Sequence, residues 1–144
     1  MTAAGPVLAP LAVSMGDPAG VGPETIARAW EMRVDRSLPP FFAIGDIRAV
    51  RAVWNGPVTA IAAPGEAVGR FDDALPVLSV SDAGEIVPGQ PDVDGARCAI
   101  ESLELAVGLT RSGAASALVT GPVSKAELYR IGFTHPGQTE FVAE

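Results

Sequence analysis

The sequence is poor in the residues from which many catalytic and metal sites are built. Among 144 residues there is one cysteine, Cys98, and one histidine, His135. A single cysteine excludes an intramolecular disulfide framework and a cysteine-rich metal site, and it fits a reducing, cytoplasmic location. A single histidine excludes an imidazole pair, and no nucleophile elbow is present, which argues against a serine hydrolase. Because His135 precedes a proline, we expect it to be an exposed, inert loop residue.

Positive charge and long apolar runs are also scarce. Ten Lys and Arg oppose seventeen Asp and Glu, giving a formal charge of −7. The basic residues are scattered and form no stripe that could neutralise a run of phosphates, so nucleic-acid binding is not expected. No apolar run approaches the roughly 20 residues of a spanning helix, and the first dozen residues lack the basic region of a secretory signal. We therefore expect neither a membrane span nor export.

The composition that remains is that of a packed globular chain. Hydrophobic residues make up 48% of the sequence and charged residues 19%, which is too apolar for a disordered segment. A chain of this length is by default one compact unit. We find no internal linker and treat residues 1–144 as a single unit.

Short apolar blocks that end in glycine or lie between turn residues predict the buried strands of a parallel sheet. The predicted strands cover residues 7–15 (with the regular part after Pro10), 41–45, 58–63, 75–80 and 114–120. Between residues 64 and 91 the chain is rich in proline and glycine, and only the block at 75–80 is predicted to be extended.

Helix signals alternate with these strands. Each predicted helix but the last has an opening signal, either a first-turn proline or a capping side chain, and two have a glycine stop. The predicted starts are Pro23, Asp46, either Asp92 or Asp94, and Ser124 in a capping box with Glu127; the predicted stops are Gly113 and Gly132. Residues 138–144 resemble the first turns of a further helix without a cap. The alternation predicts an α/β fold with a largely parallel sheet, and the ending in mid-helix suggests a portion of a longer protein.

Ligands of open α/β sheets bind beyond the carboxyl ends of the strands, and the first such loop here is SMGDPAGVGPE, residues 14–24. Gly16 and Gly20 allow close approach of a ligand or a neighbouring backbone, and the amides ahead of the helix attract an anion. The spacing is neither a dinucleotide fingerprint nor a P-loop. A plain glycine turn, in which Asp17 bonds the amides of its own loop, is equally consistent with the pattern.

The second loop follows Thr120 and Gly121, which end the last predicted strand. Lys125 falls in the first turn of the next helix, where a cation opposes the helix dipole; it either serves a site or is a solvated surface lysine. After a Pro-Gly turn, Gln138 and Thr139 either present an amide and a hydroxyl to a ligand or cap the following helix.

These two segments, SMGDPAGVGPE and LVTGPVSKAELYRIGFTHPGQTEF, resemble the signatures of the 4-hydroxythreonine-4-phosphate dehydrogenase family of pyridoxal phosphate biosynthesis. The order of the segments and their separation by a long helix and a strand also fit. The resemblance spans nearly the whole chain, which corresponds to the N-terminal half of the family subunit.

The resemblance implies an isopropylmalate-dehydrogenase-like α/β/α subunit that acts as a homodimer. It implies oxidation of the small phosphorylated substrate 4-phosphooxy-L-threonine by NAD or NADP, followed by decarboxylation. It further implies a divalent metal such as Zn, Mg or Co as a Lewis acid. In the family the metal is held by histidines beyond the region matched here, so no metal ligand is expected within this chain.

Carried over by position, the family's substrate contacts fall on Gln138 and Thr139, with Lys125 beside them. Thr139 matches the family motif, whereas Gln138 stands where the family has histidine, and a glutamine amide cannot be protonated. Ser124 also replaces the histidine of some members. Two alternatives therefore remain: a related dehydrogenase of phosphorylated sugar acids such as 4-phospho-threonate or 4-phospho-erythronate, or a non-catalytic fragment.

Overall fold

A five-stranded parallel sheet forms the centre of the computed structural model, which describes residues 8–144. The strands are β1 (Leu11–Ser14), β2 (Phe41–Gly45), β3 (Val58–Ile61), β4 (Leu75–Ser79) and β5 (Leu118–Thr120). Their order across the sheet is β3, β4, β2, β1, β5, and every neighbouring pair is parallel. The predicted α/β class and parallel sheet are confirmed. The first strand begins after Pro10 as predicted, and residue 7 lies outside the described residues.

Six helices connect and flank these strands in the part of the chain that is described. They are α1 (Gly22–Glu31), α2 (Ile47–Val53), α3 (Ala67–Arg70), α4 (Val93–Ser112), α5 (Lys125–Arg130) and α6 (Gln138–Ala143). Asp46 caps α2 by accepting from the backbone N–H of Arg48, as predicted. Asp92, rather than Asp94, caps α4 through Gly95, and Gly113 ends that helix with a φ of 83°. None of these helices is long and apolar enough to cross a bilayer.

Two apolar cores pack against opposite faces of the sheet. Phe41 and Ala43 point to one face, where α1 and α2 contribute residues such as Ile26 and Val50. Phe42 and Ile44 point to the other face, where they meet α4. The alternation follows from the two-residue period of a strand, and the result is an α/β/α sandwich.

Several predicted boundaries are wrong, each for a local reason. The last strand begins at Leu118 instead of residue 114, because residues 113–115 still complete the end of α4: the N–H of Ala115 donates to the carbonyl of Leu109. The third strand ends at Ile61 instead of 63, because the Glu66 carboxylate accepts from the next two backbone N–H groups. The fourth ends one residue early, at Ser79. The short helix α3 and the 3-10 turn before it were not predicted.

The predicted capping box at the start of α5 is also wrong. Ser124 makes no side-chain cap bond, and Glu127 does not reach back to the helix start. The Glu127 side chain is instead buried beside α4, with Oε1 3.5 Å from a guanidinium nitrogen of Arg130. Gly132 does stop the helix, as predicted, with a φ of 91°.

One apolar groove of about 340 Å³ stays open on the α1 face of the sheet, beside the edge strand β5. It is lined by Leu11, Val13, Ile26, Ala29, Phe41 and Val119, together with the start of the loop after β5. The first strand was predicted to be buried on both faces. Its residues on the groove side, Leu11 and Val13, are only half-buried, because no described helix covers them.

Candidate functional site

Strands β1 and β5 are adjacent and parallel, so the loops that follow them leave the sheet at the same edge. Ser14, the last residue of β1, is in register with Thr120, the last residue of β5. The loops at residues 14–24 and 120–124 therefore meet, as the rule for parallel α/β sheets predicts. The structure brings together two segments that are a hundred residues apart in sequence.

The two loops are joined directly through their backbones. The N–H of Gly121 donates to the carbonyl of Ser14 at 2.8 Å, and the N–H of Asp17 donates to the carbonyl of Pro122 at 2.9 Å. These bonds continue the β1–β5 pairing past the ends of both strands. The first loop is thus hydrogen-bonded to the second at two points.

Glycine is required where the two backbones touch. A Cβ on Gly16 would lie 2.1 Å from the carbonyl oxygen of Pro122, and Gly16 has a φ of 75°. A Cβ on Gly22 would lie 2.1 Å, and one on Gly121 2.5 Å, from the carbonyl oxygen of Met15. Gly20 differs, because its nearest neighbour would be 3.3 Å away and the residue is exposed. The close approach predicted for Gly16 and Gly20 is therefore one between backbones, and it occurs at Gly16.

Asp17 lies beneath the first loop, almost completely buried. Its Oδ1 accepts from the N–H of Ala19 at 2.8 Å. For this oxygen, the predicted alternative of an aspartate that bonds the amides of its own loop is therefore correct. Its Oδ2 is buried and has no partner. Burial, partly offset by the Ala19 bond, and the nearby charges of Asp92 and Glu127 raise the pKa of Asp17 above its usual value.

Gln138 connects the start of α6 to the second loop. Its Nε2 donates to the carbonyl of Gly121 at 2.9 Å, while its Oε1 is buried without a partner. The helix begins after Gly137 without any side-chain cap, so the capping alternative for Gln138 and Thr139 is wrong. Thr139 is exposed, next to Gln138 at the helix start.

The remaining predicted residues lie nearby but are not bonded to the loops. Lys125 is the first residue of α5 and is exposed, with no ion pair among the described residues. Thr120 is exposed at the end of the edge strand. His135 is not the exposed residue that was predicted: it packs edge-on against Phe141, and its Nε2 lies 2.8 Å from a carboxylate oxygen of Glu144.

Unpartnered acceptors are concentrated at this edge of the sheet. In residues 8–144, five buried side-chain polar atoms lack a hydrogen-bond partner, and four of them belong to the elements that meet here. They are Ser14 Oγ, Asp17 Oδ2, Glu127 Oε2 and Gln138 Oε1. Native proteins satisfy nearly all such atoms, so a concentration of them indicates a place for a bound group or water. Sequence reasoning missed Ser14 and assigned Glu127 to a cap, since nothing in the sequence marks a buried side chain as unpartnered.

A candidate metal centre is absent from the residues that the structure describes. Over the described range 8–144, no three His, Cys, Asp or Glu side chains lie close enough together to hold a metal ion. The site as it stands consists of two interlocked loops, an exposed hydroxyl and lysine, and a buried group of acceptors.

Comparison with known proteins gives consistent matches. Residues 39–144 match the family model described as pyridoxal phosphate biosynthetic protein PdxA. A 4-hydroxythreonine-4-phosphate dehydrogenase of Zymomonas mobilis is 54% identical over 93% of this chain and 40% of its own length. The enzyme of that name from Erythrobacter litoralis is 47% identical, again over 93% of this chain and 41% of its own length.

The fold matches as well as the sequence. The crystal structure of a 4-hydroxythreonine-4-phosphate dehydrogenase from Klebsiella pneumoniae superposes with a TM-score of 0.79 at 27% identity, covering 93% of this chain and 43% of that one. The chain thus spans about two fifths of the length of the relatives that it matches.

Proposed function

Since the chain belongs to the family of the pyridoxal phosphate biosynthetic protein PdxA, we propose that the complete protein containing it oxidises 4-phosphooxy-L-threonine with NAD or NADP. The oxidised product is then decarboxylated, in a step of pyridoxal phosphate biosynthesis. The names of the relatives support a dehydrogenase of that substrate, and the cofactor is our proposal.

The contact between the two loops is the single observation that carries this proposal. The segments that resemble the family signatures lie far apart in sequence, yet Gly121 bonds to Ser14, Asp17 to Pro122 and Gln138 to Gly121. They meet beyond the carboxyl ends of β1 and β5, where ligands bind in this class of sheet. A purely structural role would not explain why buried acceptors are left unpartnered there.

The proposed reaction requires a hydride acceptor and a base in the complete site. Oxidation of the substrate's secondary alcohol breaks a C–H bond and an O–H bond; NAD or NADP, when bound, would supply the hydride acceptor, and a base would take the proton. The ketone formed is β to the carboxylate, so the C–C bond to that carboxylate breaks with release of carbon dioxide, and the carbon left behind takes up a proton.

The residues of this chain contribute to binding and orienting the substrate. We propose that the Thr139 hydroxyl bonds the substrate, that Gln138 holds the start of α6 over the loops, and that Lys125 offers a positive charge to the anionic substrate. Gly16, Asp17, Gly20, Thr120 and Gly121 form the floor beneath it. At this short range the lysine and the loop amides outweigh the net charge of −7, since distant surface charges are screened over about 8 Å.

The residues described here do not provide a set of ligands for a divalent metal. We propose that the complete protein binds a divalent metal such as Zn, Mg or Co through residues outside this chain. We also propose that the complete protein is a homodimer, as the family resemblance implies.

A second candidate substrate is a phosphorylated sugar acid, such as 4-phospho-threonate or 4-phospho-erythronate. The observation in its favour is Gln138, which stays neutral where the family motif has a titratable histidine. The side-chain N–H of Gln138, however, already donates to the backbone carbonyl of Gly121 in the structure.

The test is a substrate panel for the complete protein. We expect NADH or NADPH formation and carbon dioxide release with 4-phosphooxy-L-threonine, and a smaller kcat/KM with the sugar acids. Thr139→Val should lower kcat/KM about 2- to 13-fold, the value of one hydrogen bond, whereas the exposed Thr134→Val serves as the matched control. Absence of turnover with every member of the panel would refute the proposed reaction.

A further inference from the structure

The buried acceptors at the ends of β1 and β5 lie on one side of the sheet. Ser14 follows Ala12 at a two-residue spacing and therefore faces α4, as Ala12 does. Pro18, next to Asp17, lies close to the start of α4, since a Cβ added to Gly95 would be 3.2 Å from a ring carbon of Pro18. Glu127 belongs to α5, which packs on α4. Three oxygens from separate segments, Ser14 Oγ, Asp17 Oδ2 and Glu127 Oε2, thus lie on this side without partners.

All three residues are almost completely buried, and most of their unpartnered atoms are hydrogen-bond acceptors. The exposed fraction is 1% for Ser14, 3% for Asp17 and 9% for Glu127. Two of the three unpartnered atoms are carboxylate oxygens, which can accept but not donate when the carboxyl is ionised, and the third, the Ser14 hydroxyl, can accept as well as donate. Gln138 adds a fourth, an amide oxygen, because its N–H is already used on Gly121. Together these four oxygens favour a bound group that donates hydrogen bonds and carries positive charge.

The positive charge available nearby is insufficient to balance these carboxylates. Within residues 8–144 Asp17 forms no ion pair, and Glu127 has only the exposed Arg130 at 3.5 Å. The third nearby carboxylate, Asp92, is committed to the cap of α4 through Gly95. Burial and the charges of Asp92 and Glu127 raise the pKa of Asp17, so its ionised form is under-compensated in the chain as it stands.

We propose that Asp17 and Glu127 are specificity-determining residues that favour a substrate with an ammonium group over one with a hydroxyl group at the same carbon. The inference rests on the proposed function, whose two candidate substrate classes differ at that carbon: 4-phosphooxy-L-threonine carries an ammonium group, and the phosphorylated sugar acids carry a hydroxyl. The carboxylates lie below the loop surface, so they act through their charge, which is poorly screened in a buried setting.

The experiment uses the complete protein and compares kcat/KM for 4-phosphooxy-L-threonine and 4-phospho-erythronate. Asp17→Asn and Glu127→Gln keep the shape and the acceptor oxygen but remove the charge, and Glu101→Gln, exposed on α4, is the matched control. We expect the ratio of kcat/KM, amino substrate over hydroxy substrate, to fall roughly 10- to 100-fold in each site variant, the size of a poorly screened charge interaction over several ångströms. The fall should come from a higher KM for the amino substrate alone, with the control unchanged.

Equal losses for both substrates would show that the two carboxylates are merely structural, and an unchanged ratio would show that they do not influence the site; either result overturns the inference. Calorimetric titration of the same two compounds gives the comparison without turnover. If the wild type binds both with equal affinity, the inference fails whether or not the reaction occurs. If the wild type prefers the amino compound, Asp17→Asn and Glu127→Gln reduce that preference, and neither compound is turned over, the inference stands and the proposed reaction fails.

Discussion

The side-chain amide of Gln138 donates a 2.9 Å hydrogen bond to the backbone carbonyl of Gly121, so that α6 is fastened to the end of β5. This contact joins Gln138, the residue that departs from the motif of the resemblance, to the loop that follows β5. It also explains how a six-residue helix without a side-chain cap is held at the site edge.

Replacing Gln138 by Glu should therefore destabilise the complete protein and impair activity. The change keeps the shape but replaces the N–H donor by a carboxylate oxygen that faces the carbonyl of Gly121. We expect a loss of about 1–3 kcal/mol in the free energy of unfolding, measured in urea. Gln90→Glu, at an exposed position, adds the same charge without the contact and should change little. Equal effects of the two variants would mean that the Gln138 bond contributes nothing.

Replacement by alanine should destabilise the protein at Gly121 and stabilise it at Gly108. A Cβ on Gly121 would lie 2.5 Å from the carbonyl oxygen of Met15, so Gly121→Ala must separate the two loops at a cost of about 3 kcal/mol or more. Gly108 lies inside α4 with open space around it, and Gly108→Ala should stabilise the protein by about 0.5–1 kcal/mol. Thermal unfolding of both variants measures the contrast, and a harmless Gly121→Ala would contradict the loop packing.

The stability of the Asp17→Asn variant, relative to that of the wild type, should increase as the pH rises. The pKa of Asp17 is raised in the folded protein, mainly by burial, so its contribution to stability is present in acid and is lost as the carboxyl ionises. Asparagine stays neutral and can still accept from Ala19. The melting temperature of the variant minus that of the wild type should therefore increase from acidic to neutral pH. A difference that is flat or decreases with pH would show that the Asp17 charge is compensated.

The apolar groove beside β5 should make the isolated chain self-associate. Val119 lines the groove and is 46% exposed, so Val119→Lys should reduce the binding of an apolar dye and shift sedimentation towards the monomer. Val34→Lys changes an even more exposed valine outside the groove and serves as the control. A wild-type chain that sediments as a monomer and binds no dye would contradict this account of the groove.

Much of the fold could be predicted from local signals. The apolar block at residues 41–45 and the caps at Asp46 and Asp92 act within a few residues of themselves, and the structure confirms them. The wrong strand ends have local causes, whereas the error at the start of α5 arose where a tertiary contact overrides a local pattern. Glu127 has the spacing of a capping box, but packing against α4 buries it.

The site was predictable in outline but not in detail. The position of the two loops follows from the rule for parallel sheets, because β1 and β5 end at the same edge. Which glycine the packing requires, Gly16 or Gly20, depends on the Pro122 carbonyl, a hundred residues away in sequence. Likewise, the unpartnered state of Ser14 Oγ depends on what surrounds it in space, and a single sequence does not contain that information.

The most direct test of the central claim is a crystal structure of the complete protein with 4-phosphooxy-L-threonine bound. The claim is that the interlocked loops beyond β1 and β5 form the substrate site. We expect the substrate at this edge, with a polar contact from Thr139 or from the loop at residues 14–24, and with its ammonium group on the side of Asp17 and Glu127. Substrate bound elsewhere, with neither the loops nor the start of α6 in contact with it, would contradict the account.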